Sequence, residues 1–552
     1  MALGLRVMWS GTSLGTVPPA ATDPLWLGGM PQGHVYTGVC EEPDDVNPLT
    51  AHTQVAKRMV HAYTHEALLD IDPVTGGLRP ALAESFEPAA DGMSCTFTLR
   101  AGVRFADGSE LTLDDVLFPW QLRRAGHLAF GAMLDAFDRV ADVEVLDSRR
   151  IRVHFRERHY ASVRIVGETW LVPCRAWFLA RVAARVAPAP MPAIDSAQFA
   201  EQLAAIKSSS GPGTGPYQLL NQPEGPMNWK PRQELLLVRN PHCWRRTASP
   251  GTWNFAGIRL LFRLSTAATM ALLRGEIDWF TSFGIDELVT ARPELATDHD
   301  RLDYDYESLG VYRTVWNCAR PSMHDARVRR ALAMLFDIDS LLARDPAAMV
   351  RAVAHAKPDA PAYPRAVKPI AFDPPAARAL LREAGHDPER GTPLRLRLVA
   401  MAATDVLRRI IEHFEDAAGK AGVELTVVRC NQSGFIDARN SGDWDGILVL
   451  QSFRPWGDPA PFLRSGSPDN IGKFADERMD GLLDRAQREL DPAARARLWI
   501  EAHELAHAEQ PVALLVHPKV SMLLAKRIEG ESIGRTGLVL ERAFVAPERQ
   551  RQ

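Results

Sequence analysis

Alternation of apolar and polar residues is clearest between positions 78 and 105. Asp91-Gly92 signals a turn, because Gly adopts positive φ at little cost. Beyond it, Phe97 and Leu99 alternate with Thr96, Thr98 and Arg100, the pattern of a half-buried strand. Val103 and Phe105 continue the alternation, and Asp107-Gly108 turns the chain again. The period then changes. Leu113, Val116, Leu117 and Trp120 recur at helical spacing, so one helix face is apolar. Thr112 stands three residues before Asp115, a capping-box spacing with a short acid. The stretch reads as a β-hairpin handing over to an amphipathic helix.

The same two periods interleave along the rest of the chain. Residues 36–39 read as a strand, and a helix is expected through Val55, Met59, Val60, Tyr63 and Leu68. Residues 140–146 and 151–155 read as strands, 182–192 as a Pro/Ala-rich connection and 196–206 as a helix. Strand 258–263, helix 267–274 and the strand opening at Glu276 make a βαβ unit, with Gly275 at the helix end. Strand 312–317 leads to a helix capped by Asp325. Val328, Ala331, Leu332 and Leu335 line its inner face, and Arg327, Arg329 and Arg330 read as a solvated face, with anion binding as the alternative. A helix from Asp373 to Gly385 has Pro first and Gly last. Strands at 394–399, 423–428 and 447–450 then alternate with a helix at 405–418, which indicates an α/β domain.

A chain of 552 residues is too long for one core, so two or three domains are expected. Charged residues make up 24% and hydrophobic ones 46%, ordinary for a soluble globular protein. The net charge of −4 lacks the basic footprint of a general nucleic-acid binder. No run of 18 apolar residues offers a membrane span. The six cysteines include no CxxC, so a metal cluster is not expected; they read as inert thiols, with pairing possible in an oxidising compartment.

Several motifs carry potential chemistry. His503-Glu504-x-x-His507 can place two zinc ligands on one helix face with Glu as general base. A catalytic zinc needs three protein ligands, and Glu509 and His517 are candidates without a recognised spacing. Gly11-x-Ser13-x-Gly15 has the form of a nucleophile elbow, but Pro18 and Pro19 oppose the helix it requires. His61 and His65 share one face at i, i+4 and read as a solvated pair without a third ligand. Ser208–Tyr217 is Gly-rich but lacks the Lys of a phosphate loop.

The segment ALAESFEPAADGMSCTFTLRAGVRFADGSELTLDDVLFPW resembles the signature of the family 5 extracytoplasmic solute-binding proteins of bacterial ABC transporters. Further stretches resemble that family in order: GTGPYQL, ELLLVRNPHCW, ALLRGEID, HDARVRRALAMLFD and the Asp373 helix. The likeness covers about residues 34 to 520. It implies a type II periplasmic-binding-protein-like α/β fold, two lobes with a hinge and an additional inserted domain. The expected divisions are a lead at 1–33, the first lobe at 34–77 and 211–305, and an inserted domain at 78–210. The second lobe spans 306–510 and a return to the first lobe 511–552, with crossings at 306–309 and 509–511.

The resemblance also implies function. A peptide-like solute or an oligosaccharide is trapped by hinge closure and passed to a membrane-embedded ABC permease by a monomer that needs no cofactor or catalysis. The cleft loop implied for 453–459 supplies Arg454, Trp456 and Asp458, and the strand entering the second lobe supplies Trp316 and Asn317. Peptide-binding members hold the ligand ammonium with an Asp three residues before the acid of the Asp-Pro pair; that position here is Pro455. The expected location is periplasmic or cell-surface, although Met1–Gly33 lacks the basic-then-apolar order of a signal peptide. A zinc hydrolase built on His503, Glu504 and His507 and a non-exported sensor of the same fold are the alternatives.

Overall fold

The computed structural model describes residues 34–550 except 52, 54–55, 129–135, 207–209, 223–224, 227, 264, 282–284, 305–309, 345–348, 402–404, 453–457 and 535–536. Ser13 and the lead lie outside the described residues. No helix among the described residues is long and apolar enough to cross a membrane.

The first lobe is built on an eight-stranded sheet. Val35–Cys40 sits at its centre, parallel to Gly257–Phe262 on one side and Trp279–Thr281 on the other. The helix Ser265–Leu273 joins those two partners, as the βαβ spacing predicts. Gly275 follows the helix at φ +67°, a left-handed turn into the strand. Val520–Ala525 then pairs antiparallel with both Trp279–Thr281 and His299–Tyr304, so the chain's return completes this sheet.

The inserted domain is a four-stranded antiparallel sheet in the order Ala83–Pro88, Ser94–Leu99, Arg150–Phe155, Val140–Val145. Cys95, Phe97 and Leu99 face its core, which confirms the alternation. Val103 and Phe105 are buried as expected, but only a single bridge, Arg104 to Glu110, forms there. The helix Leu113–Arg124 starts where the capping box predicts. One Asp115 oxygen accepts from Thr112 N–H (2.9 Å) and Thr112 hydroxyl (2.7 Å), and the other accepts from Arg175 N–H (2.8 Å). The short acid thus caps one helix and anchors the start of the next. That next helix, Arg175–Val186, occupies part of the stretch expected to be a connection.

The helix expected through residues 55–68 is shorter. It runs as one π turn at Ala56–His61 and an α turn to Thr64, and Leu69 already begins a strand. His61 and His65 are buried rather than solvated. His65 Nε2 lies 3.0 Å from Ser210 O and Nδ1 lies 2.9 Å from Thr64 Oγ1. The cause is the Gly-rich loop packed on this turn. A Cβ at Gly213 would stand 1.8 Å from Thr64 O, and one at Gly215 would stand 2.5 Å from Tyr63 O.

The second lobe holds a six-stranded sheet in the order Met349–Arg351, Val512–Pro518, Val311–Trp316, Gly446–Gln451, Leu394–Met401, Val423–Cys430. Asp325 caps its first long helix through Arg327 N–H at 2.8 Å. Val328, Ala331, Leu332 and Leu335 are buried as patterned. Arg329 departs from its expected place in solvent. It is buried, and its guanidinium donates to the carbonyls of Met323, His324, Glu509 and Gln510, so it closes the end of the Pro492–Glu509 helix. Val512–Pro518 belongs to this lobe and Val520–Ala525 to the other. Between these two strands stands Lys519, eight residues beyond the 509–511 crossing that the resemblance implied.

Candidate functional site

The strand Gly446–Gln451 runs out of the second-lobe core toward residues 453–457, so Arg454 and Trp456 lie outside the described residues. Asp458 follows and is buried. Its Oδ1 accepts from Ala460 N–H at 2.9 Å, and its Oδ2 accepts from the Tyr160 hydroxyl at 2.8 Å. Tyr160 belongs to the inserted domain, five residues beyond the strand Arg150–Phe155. A hydrogen bond to a carboxylate is among the stronger neutral-donor contacts.

More contacts cross at the same point. Tyr160 N–H donates to Gln487 O (3.0 Å), and Arg158 Nε donates to Arg488 O (2.9 Å). The Tyr160 ring meets Trp499 edge-on at 5.2 Å. Arg495 lays its guanidinium 4.3 Å from the Tyr160 centroid and 5.4 Å from that of Trp499. Burial lowers the Arg495 pKa, while Tyr160 and the Asp458 carboxylate act against that. An aromatic, a cation and an acid from two parts of the molecule thus meet on one latch.

Trp316 and Asn317 do not join it. Trp316 is fully buried in the second-lobe core. The Asn317 amide donates to Trp444 O at 3.1 Å, and its backbone N–H donates to Asp445 O, which ties the strand end to a neighbouring turn. Tyr160, Arg495 and Trp499 are the boundary residues that the sequence reading missed. Arg495 and Trp499 stand at i, i+4 on a helix, a readable spacing. Nothing local couples them to Tyr160.

The HExxH helix presents a different picture. His503 is 1% exposed, and Glu504 points to solvent. The His503 ring stacks 6.0 Å from His355, whose Nε2 accepts from Arg313 at 3.0 Å. Burial, with His517 nearby, lowers the His503 pKa to about 3. No group of three metal-ligating side chains occurs among the described residues. Among the described residues, therefore, no third ligand joins His503 and His507 in the arrangement that a catalytic zinc requires.

Residues 77–473 match the family model for bacterial extracellular solute-binding proteins, family 5. The chain belongs to that family. The family 5 protein is 26% identical over 491 residues to a di/tripeptide-binding protein (protein 2) of Pseudomonas aeruginosa, covering 84% of this chain and 86% of that one. It is 23% identical to heme-binding protein A of Haemophilus influenzae, covering 84% of each. Among solved structures it resembles the dipeptide-binding protein from Pseudoalteromonas in complex with Met-Leu. The TM-score is 0.72 at 19% identity, over 93% of this chain and 100% of that one. NikA from Brucella suis in complex with Fe(III)-EDTA gives 0.74 at 19% identity, over 92% and 100%. These likenesses show the type II periplasmic-binding-protein fold with its inserted domain. Solute binding is the role of this family, and the Tyr160–Asp458 latch stands where the family 5 protein brings its inserted domain against its second lobe.

Proposed function

We propose that this chain is the extracytoplasmic solute-binding component of an ABC importer, and that it captures a small peptide between its lobes and delivers it to a permease. The observation that carries this reading is the Tyr160–Asp458 hydrogen bond with the Arg495 guanidinium and the Trp499 ring around it. These groups reward approach of the inserted domain to the second lobe, and a solute held between lobes is retained as long as the latch holds. The names of several relatives support a di- or tripeptide. Pro455 leaves no carboxylate at the position where the resemblance places the ammonium anchor, and Asp458 already spends both oxygens on Ala460 and Tyr160. A buried ammonium without a partner is costly. The peptide is therefore gripped along its backbone and side chains rather than by its amino terminus.

The test starts from mass spectrometry of molecules released on denaturing freshly purified protein. The released peptide and its N-acetylated form are then titrated by calorimetry into wild type and Tyr160→Phe. N-acetylation is expected to change affinity by less than about threefold, the scale of losing no charged hydrogen bond. Tyr160→Phe is expected to weaken both about 5- to 30-fold, as for about 1–2 kcal/mol of charge-assisted hydrogen bonding. A strict need for a free amino terminus, or a Tyr160→Phe protein that binds like wild type, overturns the reading.

A further inference from the structure

The HExxH helix carries histidines that solute capture between lobes does not use. His507 lies between two connected hollows of the second lobe. The inner one, about 30 Å³, has room for little more than a water and is lined by His503, His355 and Arg351. The outer one is a bowl of about 470 Å³ lined by Arg330, Lys368, His507, Asp373 and Met334. Both share His507, Pro369 and Ile370, so these residues stand between the inner slot and the bowl. No residue of the first lobe or of the inserted domain lines either one. The bowl is therefore separate from the Tyr160–Asp458 boundary.

The chemistry of the bowl is one-sided. Arg330 and Lys368 face it, and neither is paired with a carboxylate among the described residues. Asp373 is the one acid in the lining, and its Oδ1 already caps the Pro374–Glu383 helix by accepting from Ala376 N–H at 2.9 Å. His507 Nε2 is buried without a hydrogen-bond partner, and both ring nitrogens of His503 are unpartnered in the slot behind it. Buried polar nitrogens are normally satisfied, so the unpartnered imidazole atoms set the slot apart, and the two unpaired cations of the bowl call for acceptors.

We propose that the bowl is a second ligand site, formed by Arg330, Lys368 and His507, for an oxyanion group, either phosphate or carboxylate. Arg330 offers a bidentate fork and Lys368 a point charge, and the neutral His507 ring, bonded to the Lys368 backbone, forms the floor between them. A free anion and an anionic lipid headgroup present the same chemistry.

Inorganic phosphate and acetate are each titrated at pH 7 into wild type and into Arg330→Gln/Lys368→Gln, read by calorimetry and by histidine NMR shifts. Both substitutions are at exposed positions, and circular dichroism with the peptide titration checks that fold and interlobe binding persist. One equivalent of phosphate or acetate is expected on wild type with the His507 resonance shifted, and affinity at least about tenfold weaker in the double variant. Co-sedimentation with phosphatidylglycerol vesicles, lost in the double variant, assigns the oxyanion to lipid; phosphate or acetate binding without co-sedimentation assigns it to a free anion. Equal behaviour of wild type and double variant toward phosphate, acetate and vesicles alike overturns the site while leaving peptide capture intact. So does anion binding that leaves His507 unshifted.

Discussion

In the first lobe the charge at the centre of the sheet is Asp278; in the second it is Arg313. Both are essentially excluded from water, at 0% and 1% exposure. Asp278 is surrounded by donors. It accepts from Thr37 N–H (2.8 Å) and Arg527 Nε (2.7 Å), and His34 Nε2 lies 3.1 Å away. Its backbone also bonds Thr37 O and Ala525 N–H, so one residue ties three strands. Among the described residues, Arg313 has no carboxylate in hydrogen-bonding reach. It donates to His355 Nε2 and to Gln451 Oε1 (3.3 Å) and lies 4.6 Å over the Phe462 ring. Burial lowers its pKa to about 9, and Asp469 pulls the other way only from a distance. The first lobe has a clamped ion pair; the second carries a cation against its own stability.

This contrast predicts opposite signs for removing the two charges. Asp278→Asn should cost about 3–5 kcal/mol in urea unfolding of the first lobe, because Arg527 and the Thr37 amide lose their anion. A loss below about 1 kcal/mol would mean that the pair is not a clamp. Arg313→Met should leave the second lobe neutral or more stable by about 1–4 kcal/mol, since an apolar side chain of similar length replaces an uncompensated charge. A clear loss of stability there would show that His355 and Phe462 compensate Arg313 fully, and would remove the asymmetry between lobes.

How much of this was legible follows the range of the interactions. Alternation at Cys95, Phe97 and Leu99, the Thr112–Asp115 cap and the Gly275 turn are local, and the sequence carries them. His61 and His65 were misplaced because helical spacing says which residues share a face, not what covers that face. The cover comes from Gly213 and Gly215, about 150 residues away. Arg329 failed for the same reason, since two of its four carbonyl acceptors, Glu509 and Gln510, belong to a helix end about 180 residues on. The latch is the extreme case. Tyr160 and Asp458 are 298 residues apart, and only Asp458 had a motif to point at it. Trp316 was expected at the cleft from the strand entering the second lobe, yet helices packed on both sides of the sheet bury both faces of that strand, Tyr312 and Trp316 against Val328 and Leu332, and Val311 and Val315 against Met479 and Leu483.

The smallest effect sharpens the comparison further, because the second lobe concentrates neutral histidines around its unpaired cation. His355 and His503 stack on each other. His517 and Arg313 face them from two adjacent strands, and Arg351 lines the same slot. Burial, then the Arg313 charge and the neighbouring rings, holds the His355 pKa well below that of free imidazole; burial and His517 take His503 to about 3. A histidine whose folded pKa is depressed binds its proton more readily when unfolded. Its contribution is complete above about pH 6.5 and is lost as pH falls toward the folded value. For His503 alone the loss between pH 7.5 and 5.5 is about 1.4 kcal/mol. His503→Leu removes the titrating group, so its unfolding free energy in urea should fall less on acidification than that of wild type, by about 1.4 kcal/mol. Asp278 and its partners sit in the other lobe, so Asp278→Asn should leave the second-lobe acid response unchanged. An identical acid response in wild type and His503→Leu would mean that His503 titrates normally, with water reaching the ring that the packing around His355 keeps dry.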